Sequence, residues 1–152
     1  MKTKILILVN FFLILNCTND SISQVTNIGF TEIARGFLKG DGAEGITKQN
    51  IVIYNDTEWN DLKTKMNLVN NETDSFSETN IDFSEFLIVA AFEEVRYEGE
   101  HFLSITEIVQ TSENIFVKTK LETPSSTNAI QVVTQPYYIA KIQKNDLPIV
   151  FE

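Results

Sequence analysis

Phe86-Leu-Ile-Val-Ala-Ala-Phe92 holds seven consecutive apolar residues with no polar interruption. A strand with one wet face alternates apolar and polar side chains, so an unbroken run of this length has no face to give to water. It is too short for an ordinary helix and reads as a central strand that other elements must cover on both sides. That requirement excludes any chain lacking a packed core. With 43% hydrophobic residues in 152, the chain is long enough for one such core.

One helix is expected to provide part of the cover. Asn55-Asp56-Thr57-Glu58 has the spacing of a capping box, in which the first and fourth side chains satisfy free N–H groups at a helix start. Trp59, Leu62, Met66 and Val69 then recur at steps of three and four, and Asn70-Asn71 is the expected end. Such a stripe needs a sheet to pack on.

The remaining patterns are strand-like. Residues 30–37 alternate, and Gln49 to Tyr54 is β-branched; the glycine-rich loop between them predicts a hairpin. Phe102 to Gln110 and Asn114 to Leu121 predict a second hairpin through Thr111-Ser112-Glu113. Ile130 to Lys144 is a long run interrupted by Pro136, which cannot donate to a ladder and predicts a sheet edge or bulge there. Leu147 to Phe151 is a last short apolar segment. The expected fold is α+β: a predominantly antiparallel β-sheet or sandwich of about seven strands with one helix packed against it.

The chain opens with Lys2 and Lys4, then an apolar run from Ile5 to Leu15 interrupted only by Asn10. A spanning helix needs about 20 apolar residues, so residues 1–16 read as a signal peptide. The only cysteine stands at its end. Ile14-Leu15-Asn16-Cys17 resembles a bacterial lipobox, which implies lipid attachment at Cys17; the alternative is an ordinary secretory signal with a cysteine nearby. Thr18 in place of Asp implies, in a two-membrane bacterium, the outer membrane as destination. Residues 17–27 are then a lipidated tether and 28–152 one β-rich domain.

Cleavage would remove two lysines from the 12 cations and none of the 21 acids, taking the charge from −9 to −11. That balance argues against nucleic acid, whose phosphates demand Lys and Arg. A single cysteine also excludes a disulfide framework and multi-thiolate zinc sites.

Local motifs are weak. Gly40-Asp41-Gly42-Ala43-Glu44-Gly45 matches G-x-G-x-x-G, but it leads into a strand, and its two acids repel phosphate; a hairpin loop is the better reading. His101, flanked by Glu98 and Glu100, lacks a companion nucleophile motif and reads as a surface side chain. Asn70, Glu72, Asp74 and Glu78 offer oxygen ligands without the glycine and terminal glutamate of a calcium loop. No catalytic, cofactor or metal residues are expected. Thr134-Gln135-Pro136-Tyr137-Tyr138 is the most distinctive stretch: it is either a partner-binding edge or one blunted by proline with Tyr138 inside.

In order and spacing, Ile51 to Trp59, Ile81 to Ser84 leading into the Phe86 strand, and Thr134 to Lys144 resemble the PrcB C-terminal domain family. The likeness spans roughly residues 50 to 145. It implies an exported, lipid-anchored bacterial protein and a partner of a surface protease complex rather than the protease itself. Family members carry a Gly-rich turn after the buried strand; here only Gly99 remains of it. The expectation is a non-enzymatic binding or stabilising module of the cell envelope, its partner another exported protein such as a protease. Candidate contacts are Gln135, Pro136, Tyr137, Arg96, Tyr97, Gly99 and His101. The competing expectations are a small secreted hydrolase using His101 with nearby carboxylates, and a protease-inhibitor-like module presenting the 93–102 turn.

Overall fold

The computed structural model describes residues 25–99, 101–123 and 131–152. Among them, eight strands form two four-stranded sheets. The first contains β1 (Thr26–Asn27), β5 (Phe102–Gln110), β6 (Ile115–Glu122) and β8 (Ile149–Phe151), side by side in that order. The second contains β2 (Phe30–Leu38), β7 (Gln135–Gln143), β4 (Phe86–Phe92) and β3 (Gln49–Ile53), in that order. All pairs are antiparallel except β6–β8. The helix α1 spans Asp56–Met66, and a 3-10 turn spans Glu72–Ser75. The α+β sandwich expected from the sequence is the fold observed.

The Phe86–Phe92 run explains the layering. Leu87, Val89 and Ala91 face the first sheet with Tyr138, Ala140, Ile105, Ile108 and Val117. Ile88, Ala90 and Phe92 face the other way, with Tyr137 and Ile139, onto Trp59, Leu62 and Met66 of α1. Every residue of β4 from Leu87 to Phe92 is at most 2% exposed. The second sheet is therefore the middle of three layers, and its two inner strands are buried on both faces over most of their length.

The helix starts as its sequence dictates. Glu58 N–H donates to Asn55 Oδ1 (3.0 Å), and the Glu58 carboxylate accepts from the N–H of Tyr54 (3.0 Å), one residue before the cap. Trp59 is 1% exposed, stacks on Phe76 at 5.8 Å between centroids and donates Nε1–H to Thr79 O (2.9 Å). The helix ends at Met66 rather than at Asn70, and Val69 is exposed. Asn67 stops it: its side chain bonds Thr73 through both its oxygen and its nitrogen, drawing the chain into the 3-10 turn.

Three connections differ from the sequence reading. The strands β2 and β3 do not form a hairpin; they are the two outer strands of their sheet, because β7 and β4, the two strands buried on both faces, take the interior. Pro136 is not at an edge, since β7 lies between β2 and β4. Its carbonyl accepts from Glu93 N–H (2.9 Å), so its missing donor faces the same side, beyond the last β4 pair, Phe92 with Tyr137. Thr26 and Asn27, assigned to the tether, pair with Gln110 and Val109 of β5. The β5–β6 hairpin forms as expected. Residues 1–16, expected to be a signal peptide, and Cys17, the expected lipid attachment site, lie outside the described residues.

Candidate functional site

The two stretches singled out as partner contacts meet in space, through an antiparallel bridge between Arg96 and Thr134. The bridge ties the 93–99 turn to the start of β7 and takes most of the candidates out of reach of a partner. Gln135 is 1% exposed, and its Nε2 donates to Ile46 O and Glu93 O, both at 2.8 Å. Pro136 is buried. Tyr137 is 1% exposed, packs on Phe92 and donates its hydroxyl to Glu72 Oε1 (2.7 Å). Gly99 is buried, and Arg96 is half-buried against Glu94 (3.0 Å) and Glu93 (3.6 Å). Tyr97, 65% exposed, is the one candidate fully open to solvent.

His101 is also not the surface side chain expected: it is 5% exposed, with Nδ1 3.2 Å from Glu98 O. A carbonyl only accepts, so this contact is a hydrogen bond when Nδ1 carries the proton. Among the described residues, no hydroxyl or carboxylate is hydrogen-bonded to the ring. Glu93 lies between Lys48 (2.9 Å) and Arg96. Burial works against its charge, yet the Lys48 bond, the Glu94 N–H and the two cations outweigh it and hold its carboxyl below the ordinary value. The loop acids are engaged too: Glu72 with Tyr137 and Glu78 with Lys141.

Among the described residues, the open surface lies elsewhere, on β2. In an antiparallel ladder, successive residues turn their N–H and C=O groups alternately to the two sides. Pro136 O and Lys144 N are bonded toward β4, to Glu93 and Glu85, so the even residues of β7 serve β4 and the odd ones serve β2. Tyr137 and Ile139 therefore bond Gly36 and Ala34, which leaves the backbone of Arg35 and Phe37 pointing outward. Upstream the edge is closed, because Ser77 donates its N–H to Ile33 O (2.9 Å) and its hydroxyl to Ile33 O and Glu32 O.

Beside this open stretch is a groove of about 440 Å³ between β2 and β5, lined by Arg35, Phe37, Phe102, Leu103, Ser104 and Glu122. Phe37 and Phe102 form its floor, ring centroids 5.4 Å apart, and Phe102 is 53% exposed. Arg35 and Glu122 are neutralised locally, by Glu32 (3.5 Å) and Lys120 (2.9 Å). The opposite outer strand, β3, shares a cavity of about 270 Å³ with Glu58, Asp61 and Lys65 of α1, charged side chains of the kind that discourage edge pairing. Sequence reading missed this site because alternation in residues 30–37 marks a strand without saying whether both its neighbours are filled. The Arg35-Gly36-Phe37 step, with glycine where a side chain would shield the edge, was the available signal.

Two phenols next to the site set an alkaline limit. Burial first, then the hydrogen bond to Glu72, raises the Tyr137 phenol above its ordinary 10.0; burial and Glu32 do the same for Tyr138. A raised value means that the folded state holds its proton more tightly, so this stability is complete below pH 10.0 and is lost as pH rises through the folded values. Circular dichroism is expected to show unfolding on the alkaline side, and a Tyr137→Phe, Tyr138→Phe double variant is expected to flatten it. An unchanged alkaline limb would contradict this.

Comparison of the chain with family models, with curated proteins and with solved structures finds no match. The functional reading therefore rests on the geometry of this chain and on the sequence likeness described above.

Proposed function

We propose that this protein is a non-enzymatic binding module of the bacterial cell envelope, lipid-anchored through Cys17, that receives an extended segment of another exported protein along β2. The observation that carries it is the outward backbone of Arg35 and Phe37 beside a groove lined by Phe37 and Phe102: two donors and two acceptors in register for a fifth strand on this sheet. An added strand gains main-chain bonds from the edge and side-chain contacts from the groove. The likeness to the PrcB C-terminal domain family supports a partner in a surface protease complex, with this chain as accessory subunit. The buried His101, without a hydroxyl or carboxylate bonded to it among the described residues, supports binding over hydrolysis.

Arg35→Pro tests the reading. The Arg35 N–H faces outward, so proline removes no ladder bond and is tolerated at an edge, yet it blocks an incoming strand. With a photocrosslinking amino acid at Phe102, the native envelope is expected to yield an adduct with one exported protein, reduced at least about tenfold by Arg35→Pro. Cys17→Ala is expected to release the protein from the membrane fraction. An adduct indifferent to Arg35→Pro contradicts the reading, as does a hydrolytic activity of the purified domain that His101→Ala abolishes.

A further inference from the structure

Resting on that reading, the walls of the groove point to the chemistry of the guest: we infer that β2 takes an extended segment in which one Lys or Arg stands between two large apolar side chains. Guest residues bonded to Arg35 and Phe37 share their face of the sheet, which is the sandwich side. Their side chains enter the groove over Phe37 and Phe102. Arg35 and Glu122 are already paired there, so this compartment offers apolar contact and no unbalanced charge.

The residue between them projects to the other face, beside Gly36. Gly36 has no side chain to fill that space; a Cβ there would lie 3.0 Å from Tyr137 Oη and 3.4 Å from Glu72 Oε1. The Glu72 carboxylate thus borders the position of the middle guest side chain. It accepts from Tyr137 and has no cationic partner among the described residues. A guest Lys or Arg supplies one. The net charge of −9 draws a basic segment in and repels an acidic one.

Fluorescence anisotropy with the labelled peptide Ser-Thr-Thr-Leu-Lys-Leu-Thr-Thr-Ser tests the inference on the purified domain. Binding is expected to be about tenfold tighter than for the peptide with Glu in place of Lys, and to weaken with salt. Glu72→Gln keeps an acceptor for Tyr137 and is expected to shrink that ratio to about threefold or less. N-methylation of both leucine amides, which face β2, is expected to abolish binding; N-methylation of the lysine amide, which faces away, is expected to leave it. The methylated peptides act on the ligand alone, so a protein variant that folds poorly does not compromise the result.

Leucine-methylation sensitivity without charge preference would overturn the basic guest while leaving strand addition intact. Binding indifferent to leucine methylation, or no binding, would overturn strand addition as well. Concentration-dependent sedimentation of the domain that Arg35→Pro abolishes would put a second copy on β2 and overturn the proposal.

Discussion

Trp59→Ala is expected to destabilise the domain by about 3–5 kcal/mol, the range for deleting a large aromatic from a packed interior. Trp59 is 1% exposed and stands between Phe76 and the outer face of the middle sheet, with Leu62 and Met66 on the same stripe. Removing it opens a cavity between helix and sheet that neither rigid element can collapse to fill. It also takes away the indole N–H that holds Thr79 O, leaving that carbonyl to Lys63 at 3.1 Å. Urea unfolding is the measurement: a lower midpoint at unchanged slope is expected. Trp59→Phe, which keeps most of the volume and loses the N–H, is expected to cost less. A shift below about 1 kcal/mol for Trp59→Ala would show that the helix contributes little to the core.

Gln135→Ala is expected to cost roughly 2–6 kcal/mol, since it strips the donors from two buried carbonyls at about 1–3 kcal/mol each. One is Ile46 O, at the entry to β3, and the other is Glu93 O, at the exit of β4, so a single amide fastens two chain segments to the start of β7. Thermal unfolding with the crosslinking assay separates this role from partner contact. A structural role lowers the melting temperature and leaves the adduct intact at temperatures where the variant is folded. Loss of the adduct at unchanged stability would return Gln135 to the binding surface.

Layering was legible in the sequence, and pairing was not. Phe86–Phe92 announced a doubly covered strand because burial on both faces writes itself as an uninterrupted apolar run. Asn55 and Glu58 announced the helix because capping is chemistry between neighbours in sequence. Partner choice between strands is non-local. Nothing in residues 30–54 says that β7, about a hundred residues further on, inserts beside β2, so proximity in sequence favoured a hairpin that does not form. Pro136 misled for a related reason: its missing donor excludes a ladder bond, yet a strand's first residues can reach past the end of a neighbour.

The site was the least legible part. Tyr137 and Gln135 stand out by residue type, but type does not reveal that one faces Glu72 and the other two carbonyls. Arg35, Phe37 and Phe102 are ordinary strand residues in the sequence. They become a surface only because β2 is the outer strand of its sheet and the Phe102 end of β5, beyond the two residues that pair with β1, faces it across a groove.

Amide hydrogen exchange along β2 bears most directly on the claim that this edge is where the protein works. In the free domain, Ala34, Gly36 and Leu38 are expected to be protected by β7, with Arg35 and Phe37 exchanging at nearly unhindered rates. On adding the Leu-Lys-Leu peptide, Arg35 and Phe37 alone in this stretch are expected to gain protection. Slow exchange of both in the free monomer, or no change in either on saturation with the peptide, would contradict the account.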